Sequence, residues 1–216
     1  MANPHPCTPD LPEFLTWEEL EQLPEEIAEQ IELWDGRVVW VRRGPAERQV
    51  FTGLLFATLR QWAAKESSER PENCYRSGQE TNVFLDATGK SNFLTPDFLV
   101  HRCIGTYQDL RAADTVLVGE VLSPSNTSTD IEAKKARYAT AGIPWYWEVH
   151  LARKESAIAT VRAYALETSP GDLPAGVRPL RPANYLLVGE WTPADEHGIE
   201  IDFPFPIRIP WTELAY

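Results

Sequence analysis

The sequence predicts an α/β domain: a mixed central sheet flanked by helices, with additional antiparallel β-structure at the C-terminus. Three observations carry that prediction. Ile31-Glu32-Leu33-Trp34 and Arg37-Val38-Val39-Trp40-Val41 flank Asp35-Gly36, a dipeptide suited to the type I′ hairpin turn, which needs positive φ at both central positions. Phe93 to Val100 and Thr115 to Leu122 are apolar runs rich in β-branched and aromatic residues, as expected of strands buried on both faces. A capped helical segment then separates Thr115–Leu122 from another strand at Pro144 to Leu151, the pattern of a crossover between core strands.

In chain order, residues 1 to 12 are polar and proline-rich and predict a loose tail. A single domain is expected over 13–216, with its core at 14–151 and a β-rich extension at 156–216. Thr16-Trp17-Glu18-Glu19 forms a capping box that opens a short helix, and Pro24 marks its end or the start of another. After the hairpin, Val50, Leu54, Phe56, Leu59 and Trp62 recur at helical spacing, which predicts a helix from Ala46 to Lys65. Ser67 to Asn73 is a polar break. Strands are expected around Tyr75 and from Thr81 to Leu85, with a turn at 87–91. Ser123 to Thr129 is rich in turn residues, and Thr129-Asp130-Ile131-Glu132 is a second capping box, for a helix that Gly142 closes. From Ser156 onward the pattern alternates as in an antiparallel meander.

At 216 residues, with 43% of them hydrophobic, the chain is long enough to enclose one core. No apolar run approaches the roughly 18 residues that cross a bilayer. The opening MANPHPCTPDLP lacks the basic and apolar regions of a signal peptide, so a cytoplasmic protein without a membrane partner is expected. Cys7, Cys74 and Cys103 are odd in number, scattered and without a C-x-x-C pair, and read as reduced thiols. The net charge is −12, from 32 acidic and 20 basic residues, which opposes nucleic-acid binding. A local basic strip, a metal ion or a partner chain would have to supply positive potential.

The chemistry is suggested by charged residues in apolar company. Asp97 follows Pro96 at the start of a buried strand, and Glu120 lies near the end of the next one. A carboxylate buried there costs several kcal/mol unless it is paired or bound to a cation. Two on neighbouring strands repel each other, and Mg²⁺ or Mn²⁺ resolves the repulsion with hard oxygen ligands. On the following helix Asp130, Lys134 and Tyr138 share one face at i, i+4 and i+8. Taken singly, each residue has an ordinary explanation: a Pro-Asp turn, a solvated lysine, a core tyrosine. Their order and spacing together point to a site. His5, His101, His150 and His197 have no spacing that suggests a triad.

The run GEVLSPSNTSTDIEAKKARYATAGIPWYWEVH, preceded by TPDFLV, resembles the Uma family of restriction-endonuclease-like proteins in the PD-(D/E)XK nuclease superfamily. The shared features are Pro96-Asp97, Glu120-Val121-Leu122-Ser123-Pro124-Ser125, Lys134 with Tyr138, and Gly142-Ile143-Pro144-Trp145-Tyr146-Trp147. The hairpin from Glu32 to Gly36 also matches, and the resemblance spans roughly residues 14 to 151. It implies a restriction-endonuclease-like fold and hydrolysis of DNA phosphodiester bonds with Mg²⁺ or Mn²⁺. By the same resemblance Asp97 and Glu120 hold the metal together with the Val121 carbonyl, Glu32 is an accessory acid, and Lys134 replaces the lysine of the E-x-K motif, at whose position Leu122 stands. Two departures are Arg48 or a neighbour where the family often has His, and His150 where it often has Asp. A different class is a nuclease-like fold acting as a binding or assembly module with weak or no catalysis. Metal binding separates the two. The aromatic edges and the β-rich C-terminal half suggest a homodimer.

Overall fold

The structure is a computed structural model that describes residues 11–41, 44–123, 126–167 and 183–216. The tail expected at 1–12 therefore lies, except for its last two residues, outside the described residues. Helix α1 (Trp17–Leu20) opens with the expected capping box: Glu19 N–H donates to Thr16 Oγ1, and Thr16 N–H donates to the Glu19 carboxylate. Pro24 begins a second short helix, α2 (Glu25–Ala28). Strands β1 (Ile31–Trp34) and β2 (Arg37–Trp40) form the hairpin, with Asp35 at φ 54° and Gly36 at φ 83°.

Helix α3 (Ala46–Glu69) continues past Lys65 into the segment expected to break it. Its polar end is tied to the residues just beyond it. Ser67 Oγ donates to the Ala63 carbonyl and accepts from Tyr75 N–H, while buried Glu66 accepts from Arg70 and Asn73. Next come strands β3 (Tyr75–Gln79), β4 (Val83–Phe84), β5 (Phe93–Leu94) and β6 (Phe98–Arg102). The strand expected from Phe93 to Val100 is thus two strands in two different sheets. The chain leaves the first sheet at Thr95-Pro96-Asp97, where Pro96 has no amide to offer a ladder and the Thr95 amide donates to the Glu32 side chain instead.

Strand β7 (Thr115–Leu122), helix α4 (Ser128–Thr140) and strand β8 (Trp145–Leu151) form the crossover, and β7 and β8 pair in parallel. The cap of α4 is Thr127, two residues before the expected box, and it accepts from Asp130 N–H. Gly142, at φ 81°, closes the helix: Gly142 N–H bonds the Ala139 carbonyl and Ile143 N–H bonds the Tyr138 carbonyl. Strands β9 (Ile158–Glu167) and β10 (Asn184–Trp191) extend the main sheet, whose order is β10-β9-β8-β7-β6-β3. Strands β11 (Ile199–Ile201) and β12 (Ile207–Ile209) make a separate ribbon.

Side chains alternate across the main sheet. Phe98, Leu117, Val121, Trp147 and Val149 face α3 and the β11–β12 ribbon, whereas Leu99, Val118, Tyr138 and Tyr146 form the core under α4. Asp97 and Glu120, one residue out of phase with Phe98 and Val121, fall on the α4 face. The β2-β1-β5-β4 sheet packs its own core around Leu33, Phe84 and Phe93.

The reading of the cysteines as reduced thiols is corrected for two of them. Cys74 and Cys103 form a disulfide across the ends of β3 and β6, where the antiparallel register brings their Cα atoms to 5.3 Å. They are 29 positions apart in sequence, and only strand pairing makes them neighbours. Among the described residues, no helix is long and apolar enough to cross a membrane.

Candidate active site

Four elements bring the charged residues together under α4. Asp97 sits where the chain enters β6; its Oδ2 accepts from Val121 N–H at 2.6 Å, which locks the carboxylate against β7. Glu120 projects from β7 toward α4, and its Oε1 accepts from Tyr138 Oη at 2.8 Å and Lys134 Nζ at 3.1 Å. Glu32 reaches in from β1: Oε1 lies 2.9 Å from Lys134 Nζ and accepts from Thr95 N–H at 2.9 Å, and Oε2 accepts from Trp34 Nε1 at 3.0 Å. The structure therefore places Glu32, Asp97, Glu120 and Lys134 in one cluster. Asp130, on the same helix face in sequence, stays at the start of α4, where its carboxylate accepts from the Thr127 hydroxyl. Arg137 docks α4 on the hairpin by donating to Asp35 and Asn92 and covering the Trp34 ring.

All three carboxylates are buried, at 0%, 4% and 3% exposure for Glu32, Asp97 and Glu120, so each needs a partner. Burial, reinforced by the neighbouring Glu120 charge, pushes the Asp97 carboxyl up to about 6 against the pull of Arg48. Burial works to neutralise Lys134, but Glu120 and Glu32 outweigh it and hold the ammonium above the ordinary lysine range. Burial and the Glu120 charge also raise the Tyr138 phenol, which remains a proton donor.

Arg48, singled out in the sequence only as a departure from the family pattern, is part of this cluster. Its Nε lies 3.1 Å from both Asp97 oxygens, and its Nη2 lies 2.6 Å from Oδ1. Lys135, next to Lys134 on α4, pairs with buried Glu148 at 2.7 Å and covers the Tyr164 ring at 3.9 Å. Glu148 also accepts from Tyr164 Oη at 3.0 Å and lies 3.1 Å from His150 Nε2. It stands beside Glu120 in the β7–β8 register. The signal was available: Glu148 is a carboxylate in the apolar strand WYWEVHL, the same reasoning that singles out Glu120.

The donor chemistry fits a hard divalent cation. Asp97 and Glu120 offer carboxylate oxygens on neighbouring strands. The amide and carbonyl of one strand residue point to the same strand edge, so the Val121 carbonyl lies on the edge of β7 whose amide bonds Asp97. The buried Tyr146 hydroxyl lines the cavity beside Glu120 and has no hydrogen-bond partner among the described residues. Among those residues no three His, Cys, Asp or Glu side chains gather as a metal cluster, so backbone oxygen and water would complete the shell.

A family model described as Uma2, "Putative restriction endonuclease", matches residues 17–180. A crystal structure described as a putative nuclease belonging to DUF820 from Anabaena variabilis ATCC 29413 superposes with a TM-score of 0.55 at 15% identity, covering 93% of this chain and 97% of that one. At that identity the likeness bears on the fold alone. No protein in a search of curated sequences matches significantly.

Proposed function

The chain belongs to the Uma2 family, and from that premise we propose that it is a metal-dependent endonuclease hydrolysing DNA phosphodiester bonds at the Asp97–Glu120–Lys134 cluster. The observation that carries the reading is the pair of buried carboxylates on adjacent strands with a buried ammonium bridging Glu120 and Glu32. Asp97, Glu120 and the Val121 carbonyl would hold Mg²⁺ or Mn²⁺. Bound there, the ion would polarise a phosphate oxygen and acidify the attacking water.

The protein's own groups do the rest. In the hydrolysis a bond forms between the water oxygen and phosphorus as the bond to the leaving sugar oxygen breaks. Lys134, kept cationic by Glu120 and Glu32, is unsuited to act as a base and supplies positive charge where the phosphate becomes more negative. Glu32 fixes the ammonium and presents a carboxylate that can orient water. Tyr138 holds Glu120 in place through its hydroxyl.

The alternative, a nuclease-fold binding module with weak or no catalysis, is favoured by one observation: Arg48 already neutralises Asp97. A homodimer belongs to the proposal, because Leu186, Leu187 and Val188 are exposed on β10, one of the two edge strands of the main sheet. A cytoplasmic location does too. The Cys74–Cys103 bond is uncommon in a reducing compartment, so the placement is tested by cell fractionation: recovery with the cytosolic fraction would support it, and recovery from outside the cytoplasm would overturn it.

The activity is tested by incubating the chain with supercoiled plasmid and with single-stranded DNA in Mg²⁺ or Mn²⁺. Cleavage that chelator abolishes, and that Lys134→Ala slows by about a hundredfold or more, is the expected result. Equal cleavage by parent and variant would contradict the assignment.

A further inference from the structure

Arg48 stands between the two carboxylates that a hard cation would bridge. Its guanidinium forks onto Asp97, with Nη2 2.6 Å from Oδ1, and the same nitrogen lies 3.9 Å from Glu120 Oε2. Three buried carboxylates, Glu32, Asp97 and Glu120, face two cations, Arg48 and Lys134, so the group carries one net negative charge. Lys134 is fixed by Glu32 and Glu120. A divalent ion in place of the guanidinium would bring the sum to zero. The guanidinium cannot surrender its charge by losing a proton, so it can yield this position only by moving.

The surroundings leave room for that movement. Arg48 lies in the first turn of α3, and its aliphatic stem rests on Gly44, where a Cβ would collide with it. Cavities of about 500 and 540 Å³ lie on either side. Asp97 opens on the first, Glu120 and Lys134 on the second, and the residues common to both walls are Val41, Gly44 and Arg48.

We infer that Arg48 is a displaceable internal counter-ion: it holds Asp97 and Glu120 in the metal-free protein and gives way when Mg²⁺ or Mn²⁺ binds. Its withdrawal takes away the one shared wall residue that touches the carboxylates, while Val41 and Gly44 stay between the two cavities. This rests on the proposed metal centre and adds the residue that sets its affinity. Arg48 is a positioning residue here, since it acts by competing for a ligand.

Calorimetry with Mn²⁺ compares the full-length parent with Arg48→Met, which keeps the stem on Gly44 and drops the charge. The variant is expected to bind about ten- to a hundredfold more tightly, the factor for losing a charge-assisted competitor. In the unmutated protein, the Arg48 Nε–H resonance in ¹⁵N NMR is expected to shift as Mg²⁺ saturates the site, a readout that stands even if Arg48→Met fails to fold. Equal or weaker Mn²⁺ binding by the variant, or a resonance unmoved by saturating Mg²⁺, overturns the inference and leaves the metal centre intact. If neither the parent nor the variant binds metal, the metal centre itself falls, and the inference with it.

Discussion

Glu148 lies among apolar side chains on β8, held by Lys135, His150 and Tyr164. Burial raises its carboxyl, but the His150 and Lys135 contacts outweigh burial and bring it down to about 2. The folded value lies below the unfolded one, so the stabilisation is fully present above about pH 5 and is lost as pH falls toward 2. A shift of that size corresponds to about 3 kcal/mol. In urea unfolding from pH 7 to pH 3, Glu148→Gln should show its largest deficit at neutral pH, narrowed by roughly half at pH 3; parallel curves would contradict the pairing. Tyr138→Phe removes one donor from Glu120 and should lower stability by about 1 kcal/mol, read as a smaller urea midpoint at unchanged slope. An unchanged midpoint would mean that the hydroxyl does not matter. Asp97, Glu120 and Lys134 were legible in the sequence because charge in an apolar strand, followed by a capped helix, demands compensation. Arg48 was not, because its partner depends on where α3 starts and on the close approach to Gly44.

At the scale of elements, the site depends on the junction of β6 and β7. Gly119, opposite Phe98 in the register, has no room for a side chain: a Cβ there would collide with the Phe98 ring. Gly119→Ala should therefore destabilise the fold by about 1–3 kcal/mol and displace the strand start that carries Asp97. A melting temperature equal to the parent's would show that the ring moves aside freely. The strand β7, the hairpin and the Gly142 stop could be read from local chemistry, each being set by residues adjacent in sequence. The break between β5 and β6 could not. Apolar residues run through Phe93-Leu94 and Phe98-Leu99-Val100 alike, and what separates them is the Thr95 amide turning to Glu32, 63 positions away. The end of α3 was misplaced for a similar reason, since Ser67 and Glu66 look like a break until Tyr75 and Asn73 are brought to them.

For the whole molecule the net charge of −12 stands, while the buried carboxylates are paired one by one, with Arg48, Lys134 and Lys135 drawn to them. The exposed apolar edge at β10 predicts self-association. Leu187→Lys should convert a homodimer to monomer in size-exclusion chromatography with light scattering, while a parent that is already monomeric would remove the dimer from the account. Packing of the β11–β12 ribbon against α3 was beyond sequence reading, because alternation reveals a strand and not the surface that it covers. The most direct measurement is Mn²⁺ titration calorimetry of the parent, Asp97→Ala and Glu120→Ala. Binding of about one or two ions by the parent and by neither variant is the predicted result. A parent that takes up no metal at millimolar concentration, or variants that bind as the parent does, would contradict the metal centre at Asp97 and Glu120.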